Sequence, residues 1–113
     1  MAIKKILLYP NPLLLRESVK IEKFDESLVS LSKDLIDTMY DADGVGLAAP
    51  QIGISKQLAV IKLSEDSDRY PDMEDSEAFV IFNPEITVLD KTEQGFWEGC
   101  LSVPGLRGFV ERP

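Results

Sequence analysis

One apolar stripe constrains the fold of this sequence more than any other feature. Four apolar residues recur at spacings of three and four: Leu28, Leu31, Leu35 and Met39. That period places them on one face of an α-helix. Asp25 is suited to cap the first turn, and Gly44 to end the helix in the left-handed conformation. The pattern predicts a helix from about Glu26 to Asp41.

The other apolar residues lie in short runs that are typical of strands. The predicted strands are Gln57 to Leu63, Ala78 to Phe82, Ile86 to Leu89 and Leu106 to Glu111. Met1 to Tyr9 is expected to form a strand or an extended arm, and Asn11 to Arg16 a capped turn with a short helical continuation. Val103-Pro104-Gly105 indicates a turn. One helix packed on antiparallel β-strands predicts an α+β fold, with one sheet face lacking an obvious cover.

Composition narrows the class of protein. The length of 113 residues predicts a single domain over residues 1–113, and 44% hydrophobic with 28% charged residues is typical of a soluble globular chain. The N-terminal apolar run is interrupted too early, at Pro10, for a signal peptide. A net charge of −8 argues against nucleic-acid binding, and no apolar run reaches membrane-spanning length. A single cysteine excludes an intramolecular disulfide and favours the cytoplasm.

An acidic segment runs from Ser64 to Glu77 and carries seven carboxylates. Such a density raises the hypothesis of a calcium loop. The spacing does not match the EF-hand pattern, and the central glycine of that pattern is missing. A solvated loop is the favoured interpretation.

The only cysteine lies in Glu98-Gly99-Cys100-Leu101-Ser102. A lone cysteine is most often a small buried apolar residue. Gly99 permits close backbone approach and Glu98 adds a carboxylate, so metal ligation and nucleophilic catalysis are alternatives. Both chemistries normally need histidine, and the chain has none.

A second unusual segment, residues 44–53, is rich in glycine and alanine and has no charged residue. Such a segment lets a ligand or another backbone approach closely, or it forms a buried turn against a sheet. Its glycine spacing does not match the dinucleotide-binding fingerprint.

Together these two segments resemble the peptide deformylases. Gly44-Val45-Gly46-Leu47-Ala48-Ala49-Pro50-Gln51 is similar to the first motif of that family, and Glu98 to Ser102 matches the second. The similarity extends to Asn11 to Arg16, to Asn83-Pro84 and to Val103-Pro104-Gly105. It covers nearly the whole chain.

The resemblance implies a metallohydrolase that removes the N-formyl group from the initiator methionine of nascent polypeptides, in the bacterial cytoplasm or an organelle. Cys100 would be one ligand of a divalent metal, Fe²⁺ in the family's usual form, with Ni²⁺, Co²⁺ or Zn²⁺ as substitutes. Gln51 and the backbone N–H of Leu101 would stabilise the oxyanion. The partners would be N-formylmethionyl peptides, near the ribosome.

The resemblance also implies peptide-binding residues. The backbone of Gly44, Val45, Gly46 and Gly99 would line the bound peptide, which adds as a strand at a sheet edge. Arg107 would help to hold the peptide, and a surface charge on the last strand is the equal alternative for that residue.

The sequence departs from the family in one large respect. The third motif, His-Glu-apolar-Asp-His on a C-terminal helix, supplies two metal ligands and a general acid and base, and no such motif occurs here. We expect the chain to be the N-terminal portion of a deformylase, inactive alone and able to self-associate through its uncovered core. The alternatives are a non-catalytic peptide-binding module and, less favoured, a metal-free thiol amidase that uses Cys100.

Overall fold

The computed structural model describes residues 2–63 and 77–113. It contains one α-helix and five strands: α1 (Glu26–Asp41), β1 (Gly46–Ala48), β2 (Leu58–Ile61), β3 (Phe79–Phe82), β4 (Gln94–Cys100) and β5 (Val103–Arg112). Two short 3₁₀ segments span Pro12–Leu15 and Ala49–Ile52. The predicted α+β fold is confirmed. The acidic segment lies outside the described residues except for Glu77.

Helix α1 has the predicted bounds. The side chain of Asp25 caps its first turn by accepting from the N–H of Ser27. The hydroxyl of Ser27 donates to the same carboxylate and is the main cause of its lowered pKa. At the other end, the left-handed residue is Asp43, with φ of 54°. The prediction that Gly44 would take that conformation is wrong, because a short polar side chain also tolerates it.

The first sheet is three-stranded and antiparallel, in the order β1-β2-β3. Alternate residues of β1 and β2, namely Leu47, Leu58 and Val60, are buried. Strand side chains alternate between the two faces of a sheet, so these three residues share the face that meets α1. The hydrophobic core comprises Ile21, Leu28, Leu35, Met39, Leu47, Ala49, Leu58 and Val60.

Strands β4 and β5 form a separate antiparallel hairpin. Cys100 pairs with Val103, so the chain reverses at Leu101 and Ser102, and the register shifts between Gly99 and Cys100. Val103-Pro104-Gly105 therefore belongs to β5, and the turn predicted there is wrong. The pairing pattern of two strands decides where a hairpin reverses, which Pro and Gly alone do not.

The strand predicted at Ile86 to Leu89 is also wrong. In this described stretch the backbone takes no strand conformation. Ile86 is 92% exposed and Leu89 is 95% exposed. Alternating apolar residues form a strand when a neighbouring strand pairs with them and another layer covers them, and this stretch has neither.

Asn83 joins the N-terminal half of the chain to β3. Its Oδ1 accepts from the N–H of Ile21 at 2.7 Å, and its Nδ2 donates to the carbonyl of Ile21 at 2.9 Å. The residue has φ of 47°, a conformation that asparagine tolerates well. One amide side chain thus substitutes for a strand partner beside the buried side chain of Ile21.

Replacing Asn83 with alanine is expected to lower the free energy of unfolding by about 3–4 kcal/mol. The change removes two hydrogen bonds worth about 1 kcal/mol each and adds a left-handed strain of about 1–2 kcal/mol. Urea denaturation followed by circular dichroism measures it. Asn83→Gly is the matched control, because glycine keeps the backbone conformation and loses only the hydrogen bonds. Equal stability of the alanine and glycine variants would contradict the strain component.

Candidate functional site

The two segments that the sequence singles out meet at Gln51. This residue lies in the 3₁₀ segment after β1, and Cys100 ends β4. Gln51 Nε2 lies 3.8 Å from Cys100 Sγ and donates to Ser102 Oγ at 3.1 Å. The fold therefore places the glutamine and the cysteine of the two motifs side by side, although 49 residues separate them in the chain.

The amide of Gln51 has a defined orientation. Its Oε1 accepts from the backbone N–H of Ala48 at 2.9 Å. Because an amide oxygen only accepts and an amide nitrogen only donates, this bond turns Nε2 toward Cys100 and Ser102. Ser102 is only 4% exposed, whereas Cys100 is exposed. The site thus has a buried hydroxyl, that of Ser102, beneath the amide of Gln51 and an accessible thiol, that of Cys100, at the surface.

Gly44 brings the two motifs together at a second point. A Cβ atom added to Gly44 would lie 2.7 Å from Leu101 Cδ1, closer than ordinary van der Waals contact permits. Leu101 in turn packs against the hydrophobic core. Because Gly44 has no side chain, Leu101 can lie directly against it, and the turn that follows Cys100 packs beside the start of β1.

The outer edge of β1 is open in the described part of the chain, since β1 pairs only with β2 there. The N–H of Lys62 donates to the carbonyl of Val45 at 2.9 Å. Hydrogen-bonded and non-hydrogen-bonded pairs alternate along antiparallel strands, so the next pair, Gly46 with Ile61, is not hydrogen-bonded. The N–H and C=O of Gly46 consequently point away from β2, toward the open edge.

Gly99 and Arg107 face each other across the hairpin. Both are exposed, and the side chain of Arg107 runs close to the backbone of Gly99. The register thus brings together two residues that the resemblance assigns to peptide binding. Their contact with a peptide stays a prediction.

An ion pair that the sequence does not reveal spans the same hairpin. Arg112 donates to the carboxylate of Glu98 through Nε at 2.7 Å and through a terminal guanidinium nitrogen at 2.8 Å. Hydrogen bonding to Glu98, together with its negative charge, raises the pKa of Arg112. Detecting this pair requires the register of β4 with β5. Because the carboxylate is engaged, Glu98 is poorly placed to act as the base of a thiol amidase.

The described residues do not make a complete metal centre. Across residues 2–63 and 77–113, no three His, Cys, Asp or Glu side chains come together around one point. The sequence contains no histidine, and Glu98 is bound to Arg112. Cys100 is therefore a single candidate donor, and the residues present do not by themselves fit a divalent metal.

Comparison with known proteins decides the family. The model of the polypeptide deformylase family matches residues 3–113. The chain belongs to this family. A peptide deformylase of Leptospira biflexa is 48% identical over 116 aligned positions, which cover all of this chain and 65% of that protein.

Solved deformylases have the same fold. The crystal structure of the Legionella pneumophila enzyme superposes with a TM-score of 0.83 at 50% identity and covers 98% of this chain and 60% of that one. An Acinetobacter baumannii deformylase with Met-Ala-Ser bound gives a TM-score of 0.86 at 32% identity, with 98% and 71% covered. The chain thus spans about 65% of the length of the Leptospira relative. No helix in the described ranges has the length and apolar character that crossing a bilayer requires.

Proposed function

We propose that this chain carries the peptide-binding and oxyanion-stabilising part of a peptide deformylase, which removes the N-formyl group from the initiator methionine of nascent polypeptides. The observation that carries the proposal is the placement of Gln51. Its Nε2 is aimed at Cys100 and lies beside the buried Ser102. The open edge of β1 begins three residues before the segment that contains Gln51.

The chemistry assigned to Gln51 follows from its hydrogen bonds. Water adds to the formyl carbon, and negative charge develops on the formyl oxygen before the C–N bond breaks to give formate and a free amine. Nε2 has two N–H groups, of which one is used by Ser102 Oγ. The second N–H, which points toward Cys100 Sγ in this structure, would turn to the developing oxyanion, and the backbone N–H of Leu101 would donate to the same oxygen.

The peptide is proposed to lie along the open edge of β1. The outward N–H and C=O of Gly46 pair with the peptide backbone, as in strand addition to a sheet edge. Gly44 and Val45 precede this edge in the chain. Gly99 and Arg107 are proposed to line the other side of the bound peptide. The solved Acinetobacter baumannii relative with Met-Ala-Ser bound supports a methionyl peptide as the ligand class.

Cys100 is proposed to provide a thiolate ligand to a divalent metal, with Fe²⁺ expected from the family. The described residues supply only this one donor, so the other ligands are proposed to come from outside this sequence. The bound metal would supply Lewis-acid activation of water. We place the function in the bacterial cytoplasm or an organelle, with nascent chains near the ribosome as substrates.

The decisive experiment is a formate-release assay with formyl-Met-Ala-Ser. The chain alone, with Fe²⁺, Ni²⁺, Co²⁺ or Zn²⁺ added, is expected to show no significant turnover. Adding a separate helical peptide that carries His-Glu-Leu-Asp-His is expected to produce metal-dependent turnover. Turnover by the chain alone would overturn the requirement for outside ligands. Absence of turnover with the added peptide, despite demonstrated binding of that peptide, would overturn the catalytic proposal.

A second candidate function is a non-catalytic peptide-binding module. The observation that favours it is the combination of an open strand edge at Gly46 with a single metal donor. Calorimetric titration with Met-Ala-Ser and formyl-Met-Ala-Ser separates the candidates. Binding of both peptides, without formate release under any of the conditions above, supports the module.

Self-association is expected for the isolated chain. Large apolar side chains of the hairpin, and of the stretch that precedes it in the chain, are at least half exposed: Ile86, Val88, Leu89, Trp97, Leu106 and Phe109. Contiguous apolar patches of more than a few hundred Å² rarely stay open on monomers. Sedimentation velocity should show a mass that rises with concentration. Replacing Leu89 and Leu106 with serine should lower this association, and a monodisperse wild-type monomer would count against it.

A further inference from the structure

The N-terminal arm, residues 2–9, contacts both halves of the site. The backbone N–H of Leu7 donates to the carbonyl of Gln51 at 2.7 Å. Two residues later, the N–H of Tyr9 donates to the carbonyl of Ser102 at 2.8 Å. The residues that the arm joins through their backbones are the same two that meet through their side chains.

The arm is itself attached to α1. The N–H of Ala2 donates to Asp34 Oδ1 at 2.6 Å, and the N–H of Lys4 donates to Thr38 Oγ1 at 2.8 Å. Thr38 is buried on α1, and Ile6 packs against the hydrophobic core. The arm is therefore hydrogen-bonded both to α1 and to the backbones of Gln51 and Ser102.

Both site residues lie in short segments. Gln51 belongs to a four-residue 3₁₀ segment, and Ser102 to the two-residue connection between β4 and β5. Such segments have few ladder hydrogen bonds of their own, so contacts from outside determine where they lie. The side-chain amide of Gln51 bonds to Ala48 at one end and to Ser102 at the other. These two bonds fix the direction of the amide only if the two segments keep their separation.

We infer that the arm is a positioning element, in which Leu7 and Tyr9 hold Gln51 and Ser102 at the separation that aims Gln51 Nε2 toward Cys100. The inference rests on the proposed function only in giving Gln51 a role at the oxyanion. The hydrogen bonds from the arm exist whether or not the chain takes part in turnover. Leu7 and Tyr9 act through their backbone amides. No role in catalysis is assigned to their side chains.

The test uses prolines, which remove a backbone donor. Leu7→Pro removes the N–H that binds Gln51, and Leu7→Ala keeps that N–H while shortening the side chain. Leu8→Pro is the matched control, because the N–H of Leu8 donates to no other described residue. The measurement is the NMR signal of the Gln51 side-chain amide, together with the backbone signals of α1.

Leu7→Pro is expected to shift the Gln51 side-chain signals and to speed their hydrogen exchange at least tenfold, with α1 unchanged. Leu7→Ala and Leu8→Pro are expected to leave those signals in place. A folded Leu7→Pro variant with unchanged Gln51 signals would overturn the inference, since a role in stability alone predicts that result.

Hydrogen exchange on the unmodified chain keeps the inference testable if Leu7→Pro does not fold. The backbone amides of Leu7 and Tyr9 are expected to exchange at least tenfold more slowly than that of Leu8, after correction for intrinsic rates. Equal rates at the three positions would overturn it. Neither measurement requires formate release, so failure of the deformylase assay would leave this result standing.

Discussion

Replacing Leu35 with alanine is expected to lower the free energy of unfolding by about 2–5 kcal/mol. Leu35 lies in the middle of α1 and is 0% exposed. Truncation removes buried apolar surface and leaves a cavity among the core residues of the helix and of β1 and β2. Single domains are stable by only about 5–15 kcal/mol, so this one change removes a large fraction of the total. Urea denaturation at 25 °C measures it.

Leu15→Ala is the matched control for Leu35→Ala. Leu15 is 81% exposed, so the same change removes little buried surface. We expect it to alter the free energy of unfolding by less than about 0.5 kcal/mol. Equal losses in the two variants would mean that α1 does not form the centre of the core, and would contradict the packing of the helix on the first sheet.

Helix α1 could be predicted to the residue because its signals are local. The apolar period and the Asp25 cap both lie within the segment that they specify. The strands at Leu58–Ile61 and Phe79–Phe82 were also predicted, as parts of longer apolar runs. Strand pairing, in contrast, depends on residues far apart in the chain, so the order β1-β2-β3 and the separate hairpin were not accessible from composition or period.

The wrong predictions have one physical cause. The strand predicted at Ile86 to Leu89 and the turn predicted at Val103 to Gly105 both depend on local composition, whereas strand pairing decides the conformation of each stretch. The first stretch lacks a partner strand among the described residues, and in the second Val103 pairs with Cys100 of β4 next to a shift of register. Gly44 is a further case in which a distant residue matters: the left-handed residue at the end of α1 is Asp43, and Gly44 instead lies in close contact with Leu101.

The sequence predicts which residues form the candidate site, but it does not predict the hydrogen bonds between them. The resemblance predicts roles for Gln51 and Cys100, and the fold brings Gln51 Nε2 within 3.8 Å of Cys100 Sγ. The hydrogen bonds of Gln51 with Ala48 and Ser102, and the backbone bond to Leu7, could not be inferred from the motifs. They depend on side-chain direction and on the path of the arm. These hydrogen bonds orient the side chain of Gln51, whereas the motif specifies only that a glutamine is present.

Gln51→Met is expected to lower kcat for formyl-Met-Ala-Ser by about a hundredfold to a thousandfold in the chain supplemented with the His-Glu-Leu-Asp-His peptide. Methionine has a similar length and cannot donate to the oxyanion. Because charge develops on the formyl oxygen only as the reaction proceeds, kcat and kcat/KM should fall together while KM changes little. Formate release over a range of peptide concentrations gives both constants.

Two further variants separate the donor role of Gln51 from its place in the fold. Gln51→Glu keeps an oxygen that accepts from Ala48 and loses the donor, so it should lose as much activity as Gln51→Met. Gln94→Met makes the same side-chain change at an exposed position that begins β4, and should retain full activity. Retention of activity by Gln51→Glu would contradict a donor role, because an ionised carboxylate beside the oxyanion can only repel it.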